Sequence, residues 1–290
     1  MKRFFILILF LLMVKNLESK ILIIKWKNVD IYNFALSGIK ESGIRDYDVI
    51  DCDGKKEEIL NGLKNVENYD LICVLGETPL KVVISEKIKK PVFYGMVYNP
   101  VLFVGKDENV TGVSLNINYL KQLTIIKSVL PNCKSVGILY SKEELVKQFE
   151  KDAENFGISV KKIKSENEND VNEKINLLKD VSLIVLITDP IISSSGVINN
   201  VILHSQKTKI PLFVTSDKLV KSGALFGLSP DYFENGIILG KMIKKYLEEN
   251  KLENPKDMPD GYLYVNLKVS SDFNIKIEEK ILKTAKEIYK

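Results

Sequence analysis

The chain has 290 residues, of which 45% are hydrophobic and 28% charged, with a formal net charge of +4. That composition excludes a disordered or fibrous chain and leaves room for one large or two ordinary α/β domains. Lys2, Arg3, Lys15 and Lys20 outweigh Glu18 within residues 1–20, so most of the net charge sits there and no basic face for nucleic acid remains.

Met1-Lys2-Arg3 followed by Phe4–Val14 is a basic start and a short apolar run. The run falls well below the roughly 20 residues that span a bilayer and suits a signal peptide over residues 1–20. The alternative, a buried first strand, accounts less well for the leading basic residues. Leu17-Glu18-Ser19-Lys20 lacks the small-residue cleavage pattern, and no cysteine follows the run, so a lipoprotein anchor is not supported. The expected location is periplasmic or otherwise extracytoplasmic.

Ile21–Trp26 reads as a buried strand, and Asp30 as the cap of a helix that Gly43 ends. Tyr47–Asp51 is a second strand, followed by a helix through Ile59 and Leu63. Asp70–Leu75 is a third strand, Thr78-Pro79 a helix start in cap-then-proline order, and Val92–Val97 a fourth strand. Val110–Ser114 is a short strand. Asn116 or Asn118 caps a helix through Leu123 and Ile126, which Pro131 ends before the strand Ser135–Tyr140.

The second half repeats the scheme. Ser141–Glu144 reads as a capping box and Ile158–Ile163 as a strand. Asp170 caps a short helix, and the very apolar Val181–Thr188 is a central strand. Leu212–Val214 and Ala224–Leu228 complete that sheet. Glu234–Leu247 is a helix, Leu252–Pro259 a linker, Tyr262–Leu267 a strand and Ile277–Tyr289 a terminal helix. Two stretches match: LICVLGETP ahead of Pro91-Val92-Phe93, and LIVLITDP ahead of Pro211-Leu212-Phe213. Strands alternating with helices in two matched halves predict an α/β protein of two Rossmann-like lobes with parallel sheets.

Cys52, Cys73 and Cys133 lack metal-ligand spacing, and His204 stands without a partner cluster. There is no G-x-G-x-x-G, P-loop or G-x-S-x-G motif. No cofactor, no metal and no enzymatic activity are expected, and the cleft reads as a binding site.

In open parallel sheets ligands bind beyond the carboxyl ends of the strands. Thr78 at a helix start offers a carboxylate site or is an ordinary cap. Asp189 accepts an ammonium or sugar hydroxyl, or caps the next helix. Ser193 is placed to help, and Ser216-Asp217 are polar ligands or a simple turn. Trp26 stacks on a ligand ring or packs in the core, and Tyr98-Asn99 contacts the ligand or forms a turn before Pro100.

Asn109–Ser114, Leu123–Leu130 with Pro131, Ile210–Asp217, Gly223–Leu225, Asp231-Tyr232 and Val265–Lys268 together resemble motifs of the substrate-binding components of ABC importers. The similarity is to the type I periplasmic binding subgroup that includes aromatic amino acid binders, and it covers nearly everything after residue 20. It implies two lobes, 21–114 and 115–290, with helix 232–250 returning to the first. Three crossovers are implied near Thr111–Asn116, Leu228–Asp231 and Tyr262–Val265. Ligand contact is implied at Gly76–Pro79, Tyr98-Asn99, Asp189 and Ser216-Asp217. The family often has Asp-Pro where this chain has Asn99-Pro100. The resemblance further implies a monomer that captures a small polar molecule, an amino acid, and delivers it to an ABC permease and its ATPase. The alternative is a sensing module of the same fold that signals to a membrane receptor.

Overall fold

A computed structural model describes residues 20–105 and 109–290. The expected signal segment, apart from Lys20, lies outside the described residues. β1 (Ile21–Lys25), β3 (Leu71–Leu75) and β4 (Val92–Val97) are buried along their whole length, as parallel strands covered on both faces must be. With β2 (Tyr47–Asp51), β5 (Val110–Ile117) and β11 (Lys256–Met258) they form an all-parallel sheet in the order β11-β5-β4-β3-β1-β2. Helices α1 (Asp30–Glu41), α2 (Lys56–Leu63) and α3 (Glu77–Ser85) connect its strands.

The second sheet holds β6 (Ser135–Tyr140), β7 (Ser159–Lys164), β8 (Leu183–Val185), β9 (Leu212–Val214), β10 (Phe226–Ser229), β12 (Tyr262–Asn266) and β13 (Ala285–Tyr289). Its order is β13-β12-β10-β9-β8-β6-β7, and only the β10–β12 pair is antiparallel. Helices α4 (Tyr119–Val129), α5 (Lys147–Glu154), α6 (Glu168–Lys174), α7 (Ser195–Thr208) and α8 (Asp217–Lys221) join its strands. This is the two-lobed α/β architecture expected from the strand–helix alternation.

The chain passes between the sheets at Asn118, at Pro230-Asp231 and at Pro259–Gly261. Thr111–Asn116 and Tyr262–Val265, where crossovers were expected, are strand residues adjoining two of those points. Residues 115–117 extend β5 and therefore belong with the first sheet. After the second passage α9 (Tyr232–Glu249) lies along α1. The helices approach so closely that a Cβ on Gly236 would run into the Ala35 carbonyl oxygen. Only glycine permits that approach.

Several local expectations change. Leu252–Pro259 is not a free linker: β11 pairs with β5, Thr111 Oγ1 donates to Glu253 O at 2.7 Å, and Ser114 Oγ donates to Asp257 Oδ1 at 2.5 Å. The expected terminal helix over Ile277–Tyr289 shrinks to α10 (Glu279–Leu282), and the tail becomes β13. There Tyr289 stacks on Tyr264 with ring centroids 6.5 Å apart, a tertiary contact that overrides local helical preference. Of the two candidate caps for α4, Asn118 serves, accepting from Leu120 N at 2.9 Å. Asn167, not Asp170, caps α6. Ser141 leaves its expected capping box because its hydroxyl bonds Asp189 instead.

Candidate functional site

Each lobe contributes the loops that follow its strands. Trp26 follows β1, half-buried, with its N–H donating to Leu75 O at 3.1 Å and its carbonyl accepting from Gly54 N at 2.8 Å. Beneath it Lys25 is only 5% exposed. Its ammonium reaches Asn33 Oδ1 at 2.6 Å, Asp51 Oδ2 at 3.1 Å and Asn28 Oδ1 at 3.2 Å. A buried cation satisfied this fully holds the β1–α1 loop, and Trp26 with it, in one conformation.

Gly76 caps α3 with φ 120°, a left-handed value suited to glycine, and a Cβ there would meet Trp26 Cβ at 3.1 Å and Tyr32 Oη at 3.2 Å. Thr78 is therefore the second residue of α3 and not its cap, and Pro79 the third. Its hydroxyl makes no hydrogen bond to a described residue, and no side chain caps the helix. Glu77, in the same first turn, pairs with Lys81. The positive end of α3 is thus open to an anion, with Glu77 as the competing charge.

Met96 takes φ 60° where the β4–β5 register shifts, and Asn235 Oδ1 of α9 accepts its N–H at 3.1 Å. Asn235 Nδ2 also donates to Ser114 O at 3.0 Å. A bulge pinned in this way re-aims the residues that follow it. Those residues are Tyr98 and Asn99. Asn99 is buried with φ 47° and donates through Nδ2 to Thr188 O of the other lobe at 2.6 Å. Around this bridge Thr188 Oγ1 and Thr215 Oγ1 lie 3.2 Å apart, beside a cavity of about 20 Å³, room for one water.

A family model described as ABC transporter substrate binding protein matches residues 30–289. The chain belongs to that family. It is a family of substrate-binding proteins and not of enzymes. A tyrosine-binding protein of Clostridioides difficile is 28% identical over 149 residues, 48% of this chain and 42% of that protein, so the match spans less than half of the curated relative. A Streptococcus pneumonia ABC domain solved with L-Trp is 23% identical with a TM-score of 0.65, covering 93% of this chain and 99% of that one. The ligand-free, open structure of a Clostridium difficile substrate binding protein with adhesive properties is 19% identical with a TM-score of 0.71 and the same coverage. These solved structures share the fold.

In this substrate-binding protein the two candidate carboxylates have different fates. Asp189 is 1% exposed and committed to its own lobe. Its Oδ2 accepts from Ser141 N at 2.7 Å and Ser141 Oγ at 2.9 Å, and its Oδ1 from Ile191 N at 2.9 Å and Ile192 N at 3.1 Å. Ser193 Oγ accepts from Asp189 N at 3.0 Å. Four donors fill the carboxylate, so Asp189 and Ser193 build the loop after β8 and leave nothing for an ammonium.

Asp217 is the opposite case. It opens α8 half-buried, with no hydrogen bond or ion pair to a described residue, and Ser216 beside it makes no capping bond. Burial first, then the neighbouring Tyr232 and Asp217, push the Tyr98 phenol well above its ordinary range. Burial and then Asp217 do the same to Tyr232. Tyr32 is raised by burial, by Glu77 and by Tyr232. A free carboxylate among neutral phenols is suited to an ammonium group attached to an apolar body.

The structure thus groups Trp26 with Thr78 through Gly76 and Asn99 with Thr188, and sets Tyr98 within the electrostatic reach of Asp217. Sequence reasoning missed Tyr32 and Tyr232, and it placed Thr188 and Thr215 in loops lining the cleft without singling them out. Tyr32 stands in the first turn after β1 and Tyr232 in the first turn after β10, positions that a search of helix starts facing the cleft would have found. Among the described residues no His, Cys, Asp or Glu group has metal-binding geometry, and no helix is long and apolar enough to cross a membrane. Cys52, Cys73 and Cys133 are buried free thiols, and burial is the main cause that raises all three, Cys52 to about 11.

Proposed function

We propose that this chain is the solute receptor of an ABC importer and that its ligand is an amino acid with an aromatic side chain, held between the lobes. The observation that carries this reading is Asp217, a half-buried carboxylate with no partner among the described residues, whose charge is felt by the buried phenols of Tyr98 and Tyr232. In this arrangement the ligand ammonium meets Asp217, with Ser216 beside it. The ligand carboxylate takes the open end of α3 at Thr78, and Trp26, Tyr32, Tyr98 and Tyr232 enclose the ring. Relatives named for tyrosine binding or solved with L-Trp support the same class. The closed, loaded monomer then presents both lobes to the permease and its ATPase, outside the membrane to which Phe4–Val14 directs it.

Thermal melting in the presence of L-tyrosine, L-tryptophan, L-leucine, ribose and adenosine tests the class. A ligand at a hundred times its dissociation constant stabilises the folded state by about 2.7 kcal/mol, a shift easily seen. Stabilisation by the aromatic amino acids and not by ribose or adenosine is expected. If only ribose or adenosine raises the melting temperature, the reading is wrong.

A further inference from the structure

A cavity of about 810 Å³, in the size range of small-molecule sites, opens between the lobes at the β5–β11 edge. Asn99 of the interlobe bridge is one of its walls, but Trp26, Thr78, Ser216 and Asp217 are not, so it is distinct from the proposed amino acid site. Its first-lobe wall includes Tyr94 and Asp257, and its second-lobe wall Tyr119, Glu144 and Asp152. Lys256 is the only lining cation among the described residues, and its ammonium is held 2.8 Å from Glu253 Oε2. Three carboxylates therefore face the cavity without a free opposing charge among the described residues.

A second observation points independently to a ligand. Tyr94 is 1% exposed and lines the cavity, and its hydroxyl makes no hydrogen bond to a described residue. Asp257 has one oxygen bonded to Ser114 and the other unengaged among the described residues. Burial and then the Asp257 charge raise the Tyr94 phenol, and the same two causes, with Asp152, raise Tyr119 to about 12. Both rings thus stay neutral beside negative charge. Phenol faces and carboxylates together recognise cations, and Val101, Val104 and Leu120 add an apolar strip for a carbon chain.

We propose that this cavity is a second ligand site, specific for a small organic cation whose ammonium is held by Asp257, Glu144 and the Tyr94 phenol oxygen. Because the occupant touches both lobes at the Asn118 crossover, its binding is linked to lobe closure and hence, reciprocally, to the affinity of the cleft.

Calorimetric titration of the whole protein with 1,4-diaminobutane, at matched ionic strength, tests the site. Saturable binding is expected, weakened roughly tenfold or more in both Glu144→Gln and Asp257→Asn and unchanged in Asp217→Asn. Glu144 is exposed and bonds to no described residue, so its variant does not endanger the fold. Binding weaker than about 1 mM, or equal in the wild type, Glu144→Gln and Asp257→Asn, overturns the proposal. So does loss of binding in Asp217→Asn, which would place the amine in the cleft. A parallel titration with L-tyrosine reports on the amino acid reading separately, since that depends on Asp217 and not on Glu144.

Discussion

Asn99 of the first lobe donates its side-chain amide to the Thr188 carbonyl of the second at 2.6 Å. Asn99 can sit there because it tolerates its left-handed backbone, φ 47°. The bond lies beside the crossovers and spans the gap that hinge motion must widen, so it belongs to one relative placement of the lobes and is lost in another.

Asn99→Asp keeps that backbone conformation but sets a carboxylate against a carbonyl. Losing the donor removes about 1–3 kcal/mol from the joined form. Small-angle scattering without ligand is expected to show a larger radius of gyration for the variant than for the wild type, with unchanged circular dichroism. An identical radius would mean the bridge has no part in setting the lobe angle.

Asp189→Asn and Asp217→Asn are expected to separate structure from binding. Asp189→Asn replaces an acceptor-only group that serves four donors, and the urea midpoint should fall by the equivalent of about 3 kcal/mol. Asp217→Asn should leave that midpoint within about 0.5 kcal/mol and weaken aromatic amino acid binding roughly ten- to a hundredfold. Equal stability losses in the two variants would contradict this division.

Asn235 is buried in α9 yet serves the first sheet, bonding Met96 N and Ser114 O. Asn235→Ala strands those groups and releases a methionine held at positive φ, so a loss of about 3 kcal/mol is expected. Ligand affinity should fall as well, because Tyr98 and Asn99 follow the released bulge. Retained affinity at reduced stability would show that the bulge does not position them.

Alkaline pH should destabilise the protein through its buried phenols. Tyr94, Tyr98 and Tyr119 have folded-state values above the ordinary phenol, first of all because of burial. The unfolded chain therefore releases these protons first, near pH 10, and stability falls as pH rises from there toward the folded values. Below that range the contribution is fully present. Urea midpoints at pH 8, 9.5 and 11 should be level between the first two and then drop, together with slow phenolate absorbance. A level midpoint through pH 11 would show that these rings ionise freely in the folded protein.

The sequence alone determined the lobes. Continuous apolar strands such as Leu71–Leu75, each followed by a helical stretch, admit little besides parallel sheets covered on both faces, and the loops after them mark the cleft. Trp26, Thr78, Tyr98 and Asp217 were legible as candidates for that reason. The roles of the two aspartates were not. Asp189 and Asp217 each follow a buried strand, and only the folded positions of Ser141 and of the Ile191-Ile192 amides decide that one carboxylate is filled while the other stays free. The strands β11 and β13 were likewise invisible, because edge pairing draws its stability from a partner distant in the chain. Such hydrogen bonds leave no local pattern, whereas burial on both faces of a central strand does.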